Sequence, residues 1–105
     1  MDRTEEAYLI FETWTQDAQK VQRPTQTRHR VFVNRNDLTR AEFFEAGRAG
    51  LDPEMRLDIF GPDYNGEQLI EYKGVVYSIY RTHARTTDAL ELYVERRKGT
   101  SDGQT

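Results

Sequence analysis

Between Thr39 and Arg97 the chain marks out one short helix followed by alternating, strand-like segments, an order that leaves few folds open. Thr39 is an N-cap residue and Glu42 stands three positions on. This is the form of a capping box, in which each side chain satisfies an orphan backbone N–H at the helix start. Leu38 and Phe43 have the spacing of a hydrophobic staple, and Phe43, Ala46 and Gly47 share one helical face with Phe44 beside them. Gly50 supplies the left-handed position after the last turn, and Pro53 forbids continuation. Gly47 and Gly50 each weaken that turn by about 1 kcal/mol, so the helix is short and easily frayed.

Beyond the helix, Glu54 to Phe60 alternates with Met55, Leu57 and Ile59 inward and Arg56 and Asp58 outward. The cluster from Gly61 to Gly66 ends in Asn-Gly, a reversal signal that leads into a strand from Gln68 to Tyr72. Lys73-Gly74 is a two-residue link into Val75 to Thr82. Ala84 to Asp88 is a loop, and Ala89 to Glu95 is the last strand. Upstream, Ala7 to Trp14 is an apolar, β-favouring run with both faces partly covered, and Arg28 to Asn34 is a strand edged by cations. Thr15 to Thr27 is polar, contains Pro24 and has no apolar period. It is either a long hairpin loop or two strand ends around a turn. Six strands and one helix inserted before a C-terminal meander predict a mainly β fold, a small antiparallel β-barrel, because closure removes exposed edges. The barrel domain spans residues 7–98, with residues 1–6 and 99–105 as flexible termini.

The 105 residues hold one modest core, and an apolar fraction of 36% against 31% charged makes that core lean. Such a core suits either a subunit that gains stability from neighbours or a domain of low intrinsic stability. Charge falls in blocks. Residues 1–19 carry five acids against one base, residues 20–40 six bases against one acid, residues 41–72 eight acids against two bases, and residues 73–105 six bases against four acids. Blocks of opposite sign allow head-to-tail contacts between copies, unless folding mixes them over the surface. With no cysteine there is no disulfide, thiolate site or Cys nucleophile. No apolar run approaches the roughly 18 residues that span a bilayer, and the acidic start is unlike a signal peptide; a soluble, intracellularly made protein is expected.

The pattern offers little to bond chemistry. His29 sits among arginines and His83 beside Arg81 and Arg85, where cationic neighbours disfavour a metal, so both are expected as solvated surface histidines. No nucleophile triad order, phosphate-binding glycine loop or metalloprotease pattern occurs. Glu91 and Glu95 are expected as solvated acids. The sequence therefore predicts no enzyme, no cofactor and no metal. Two binding readings stay open. Lys20, Arg23, Arg28, Arg30, Arg35 and Arg40 around Phe32 have the cation-and-aromatic make-up of a single-strand binder. Tyr64, Tyr72, Tyr77, Tyr80 and Tyr93 are either interface residues or a core with polar tips reaching water.

The stretches Val33-Asn34, Thr39 to Ala46 and Ala49 to Glu54, followed by Asp63 to Glu67, Glu71 to Arg81 and Glu91-Leu92-Tyr93, resemble in order and spacing the phage head–tail adaptor or head-closure family. These are the small stopper or head-completion connector proteins of long-tailed bacteriophages and prophages. The similarity covers Leu9 to Lys98. It implies a small β-barrel that assembles as a ring of about twelve copies, joins the head to the tail and closes the DNA exit channel after packaging. The implied partners are further copies of the chain, a portal-bound adaptor, a tail-side joining or tube protein, and non-specifically the packaged double-stranded DNA, with no membrane; a free chain that is monomeric until a partner templates the ring is one alternative. The implied location is the virion connector, after synthesis in the bacterial host cytoplasm. On that reading Arg28, Arg30, Arg35 and Arg40, with Glu42, Glu45, Asp52 and Glu54, are the expected subunit-contact residues. Asn36, Thr39, Phe43, Phe44, Gly47 and Gly50 form a candidate mobile segment on the channel side. The alternatives are another connector ring protein such as a tail terminator, or a cytoplasmic nucleic-acid-binding β-barrel.

Overall fold

Alternating apolar side chains line the inside of a closed ring of six antiparallel strands. A computed structural model describes residues 4–16 and 18–97. The strands are β1 (Glu5–Gln16), β2 (Gln22–Asn36), β3 (Pro53–Phe60), β4 (Leu69–Tyr72), β5 (Val75–Ala84) and β6 (Ala89–Arg96), with one helix, α1 (Arg40–Arg48), between β2 and β3. Around the ring the order is β1-β2-β3-β6-β5-β4, closed where Ala7 to Ile10 of β1 pairs with Leu69 to Tyr72 of β4. Ala7, Leu9, Val31, Val33, Met55, Leu57, Ile59, Ile70, Tyr72, Tyr77, Leu92 and Val94 fill the interior. Ile10 and Leu69, directly paired, are buried outside that cluster, as expected for a first strand covered on both faces.

Local signals hold where they were strongest. Thr39 accepts from the Glu42 N–H while the Glu42 carboxylate accepts from the Thr39 N–H, completing the capping box. At the other end Gly50, at φ 82°, lets its own N–H reach the Gly47 carbonyl and that of Leu51 reach Ala46, which satisfies carbonyls that would otherwise be orphaned. Lys73 and Gly74 both take positive φ, the backbone of a tight two-residue hairpin between β4 and β5.

Three expectations are corrected. The reversal at Asn65-Gly66 does not fold β3 onto β4. β3 lies between β2 and β6, and the chain crosses instead, through a short 3-10 turn at Gly61–Asp63, to a strand that closes the ring on β1. Only Gly66, and not Asn65, has positive φ there, and the Asn65 N–H is taken by the Glu67 carboxylate at 2.7 Å, so no tight hairpin turn forms. The meander is therefore β4-β5-β6 alone. β1 begins at Glu5 rather than Ala7, because the Glu5 carboxylate holds the Tyr72 hydroxyl and Lys73, which removes residues 5 and 6 from the flexible terminus. Of the expected helical face only Ala46 is buried; Phe43 and Phe44 point away from the barrel. Residues 1–3 and 99–105 of the expected termini, and Lys98 at the end of the expected domain, lie outside the described residues.

Candidate interaction surfaces

Thr15 to Thr27 is resolved as two strand ends around a turn, and every described residue in it is exposed. β1 and β2 pair without interruption from Glu5↔Val33 to Gln16↔Gln22. β4, however, accompanies β1 only as far as Ile10, and β3 accompanies β2 only from Asn34 to Asn36. From Phe11 outward the pair is a two-stranded ribbon standing beyond the ring. Its base is fastened. The Gln68 side chain bridges the Glu12 N–H and carbonyl, and the Glu12 carboxylate holds Arg97 at 2.9 Å and Gln26 at 3.0 Å. Past that base none of the described residues is buried, and Trp14 stands 63% exposed with Val21 also open to solvent.

A second surface lies at the opposite end of β2. Asp37, Leu38, Thr39, Arg40, Phe43, Phe44, Pro53 and Glu54 line a groove of 560 Å³, on whose rim Phe43 and Phe44 are 50% and 55% exposed. Beside it a smaller pocket of 260 Å³ opens between α1 and the barrel wall, lined by Glu42, Glu45, Ala46, Ala49, Leu51, Tyr80, Arg81 and Tyr93.

Beneath that pocket lies a polar layer that the alternation of β3 and β6 concealed. Asp58 and Glu91, expected to face water, are 3% and 5% exposed and pair directly across the two strands. The Arg56 guanidinium bonds Asp58 at 2.9 Å and approaches Glu91 at 3.5 Å. Asn36 donates to Asp58 at 3.1 Å. His83, expected as a solvated surface histidine, is in β5 with Nδ1 3.0 Å from Glu91, and Arg85 lies 3.7 Å from the same carboxylate. Tyr93 donates to Glu42 at 2.8 Å and is 3.2 Å from Glu91. Burial and the Glu42 hydrogen bond push the Tyr93 hydroxyl up to about 12. The Thr39 backbone hydrogen bond holds the Glu42 carboxyl below its ordinary value. Chemically this is a neutralised strut. Each acid is already engaged by a cation or hydroxyl, and the phenol stays protonated as a donor. No group of three or more acids or histidines among the described residues is arranged to hold a metal ion.

The expected contact residues are dispersed. Arg28 pairs with Glu71, Arg30 with Glu6 at 3.2 Å and Arg35 with Asp37 at 2.8 Å, so folding mixes much of the basic block with acids of this same chain. Arg40 and Glu45 lie on α1, Asp52 just before β3 and Glu54 within it, with no ion pair among the described residues. Asn36 and Thr39 fix the entry to α1, Gly47 and Gly50 its exit, and Phe43 and Phe44 its outer face. Three of the five tyrosines have bonded polar tips, Tyr72 on Glu5, Tyr93 on Glu42 and Tyr64 on the Glu67 carbonyl, whereas Tyr77 is buried in the core and Tyr80 is half-buried in the wall of the smaller pocket. The sequence left the ribbon open between a hairpin loop and two strand ends, because polar strands without a core face carry no hydrophobic period. The one available signal was Trp14, a large aromatic at the start of a polar stretch. No helix among the described residues is long and apolar enough to cross a membrane. Comparison of this chain with protein-family models, curated proteins and solved structures finds no match.

Proposed function

We propose that this chain is a structural connector subunit of a tailed phage or prophage, joining the head to the tail and closing the DNA exit channel, with no catalytic role. The observation that carries this reading is the β1–β2 ribbon with Trp14 at 63% exposure. An isolated two-stranded ribbon is marginal in water, and exposed Trp is a residue type that anchors interfaces, so the ribbon gains most by docking on another surface. The groove at Phe43 and Phe44 supplies a second contact region, which suits a subunit with neighbours on two sides. The resemblance of residues 9–98 to head-closure proteins supplies the assembly: copies in a ring, a portal-bound adaptor on one side and a tail component on the other. In that setting α1, held by one capping box and ending in a glycine-rich turn, is the segment placed to reorder along the channel. Electron microscopy of particles assembled without this chain tests the reading. Heads that have lost their DNA and carry no tails are expected, and filled, tailed particles would refute it.

A second reading draws on a different face. Phe32 is exposed on the open edge of β2 with the Arg30 guanidinium 5.7 Å from its ring, and Arg28 lies 5.0 Å from the ring of Tyr8. Cations beside exposed rings are how β-sheets hold single-stranded nucleic acid. The ion pairs of Arg28 with Glu71 and Arg30 with Glu6 weigh against it, because a phosphate must displace a carboxylate from each. A salt-dependent gel shift with short single-stranded DNA would favour this reading over the connector.

A further inference from the structure

Resting on the connector reading, we propose that the ribbon tip of one copy seats in the Phe43 and Phe44 groove of the next. The two patches are alike in chemistry and lie at opposite ends of one strand. Trp14 pairs with Pro24 in the ribbon, whereas the groove begins at Asp37, directly after Asn36 ends β2. From Pro24 to Asn36 is about 40 Å of extended chain at roughly 3.3 Å per residue, in a molecule whose longest dimension is 48 Å. A copy therefore cannot fill its own groove. A tip at one pole and a receptor at the other define a heterologous contact, which repeats from copy to copy and closes into a ring when the rotation allows.

Charge favours the same partner. Lys20 stands beside Val21 at the ribbon turn, while Asp37, Glu54 and Arg40 line the groove and Glu45 and Asp52 adjoin its lining residues Phe44 and Pro53 in the chain. Asp37 is taken by Arg35, whereas Glu45, Asp52 and Glu54 have no ion pair among the described residues. Docking brings Lys20 to these acids as Trp14 meets the phenylalanine rings. An indole in a ring-lined groove with opposite charge at its rim is the make-up of an interface hot spot.

Trp14 is the only tryptophan, so the contact reports itself. The full-length chain is followed by sedimentation and by tryptophan emission over rising concentration at low salt. Emission should move to the blue as mass increases, and added salt should reverse both. The Phe43→Ser/Phe44→Ser double variant and Trp14→Ala, each altering only exposed side chains, should both associate about tenfold more weakly or not at all. Mixed together they should form a pair with blue-shifted emission, since one supplies an intact tip and the other an intact groove. A chain that stays monomeric with unmoved emission would overturn the proposal. So would association that survives the double variant, which means tips meeting tips, or a blue shift that needs the adaptor complex instead of a second copy. The particle experiment reads the connector role separately. Tailless particles with no self-association remove this contact alone, whereas self-association with normal particles removes the connector role alone.

Discussion

Asp58 and Glu91 face each other across β3 and β6 as two buried carboxylates, and the single guanidinium of Arg56 reaches both. Removing one member of such a buried set leaves charge uncompensated, which costs more than the set contributes when intact. Arg56→Met is expected to lower unfolding stability by about 3–5 kcal/mol in urea titration. Arg56→Lys, which keeps the charge but not the forked geometry, should fall between the two. A methionine variant as stable as the parent would show that the layer is not a strut.

Tyr93 gives an alkaline signature. Its hydroxyl is pushed from an ordinary 10.0 to about 12 by burial and by the bond to Glu42. A group whose folded value is raised stabilises the fold below its unfolded value and loses that contribution as pH climbs through the folded one. Stability relative to Tyr93→Phe should therefore shrink between pH 10 and about 12. Near neutrality the phenylalanine variant should be about 1.5 kcal/mol less stable. Parallel pH profiles for the two proteins would contradict the assignment.

At the helix start the sign reverses. Glu42 is held below its ordinary 4.5 by the Thr39 backbone hydrogen bond, despite some desolvation. Its contribution is present above that value and is lost as pH falls through the lowered one. Thermal unfolding of the parent should thus weaken below pH 4.5 by more than that of Glu42→Gln. Thr39→Ala, which removes the other half of the capping box, should cost about 1 kcal/mol at neutral pH.

The ribbon is expected to be silent in stability. Trp14 is 63% exposed, so Trp14→Ala should change unfolding free energy by no more than about 0.5 kcal/mol in urea titration. A larger loss would mean that the indole belongs to the fold and not to docking.

What could be read from the sequence was what is decided locally. The Thr39 and Glu42 box, the Gly50 exit, the Lys73-Gly74 turn and the inward parity of Met55, Leu57 and Ile59 each depend on neighbours a few residues away. The choice of β6 over β4 as the partner of β3 depends on ring closure with β1, which no local pattern carries. Asp58 and Glu91 obey the outward parity, yet they are buried by one another, by Arg56 and by the groups of β2, β5 and α1 around them. The polar ribbon has no core to print a period on it, and the exposure of Phe43 and Phe44 reverses what helical spacing implied.

Tail attachment in vitro puts docking through the ribbon to its sharpest test. Heads assembled without this chain are mixed with tails and with purified parent protein or Trp14→Ala. Parent protein should restore tailed, infectious particles, and Trp14→Ala, equally well folded, should not. Heads left tailless by the parent protein, or equal rescue by both, would contradict a connector that works by seating its exposed tryptophan on a neighbour.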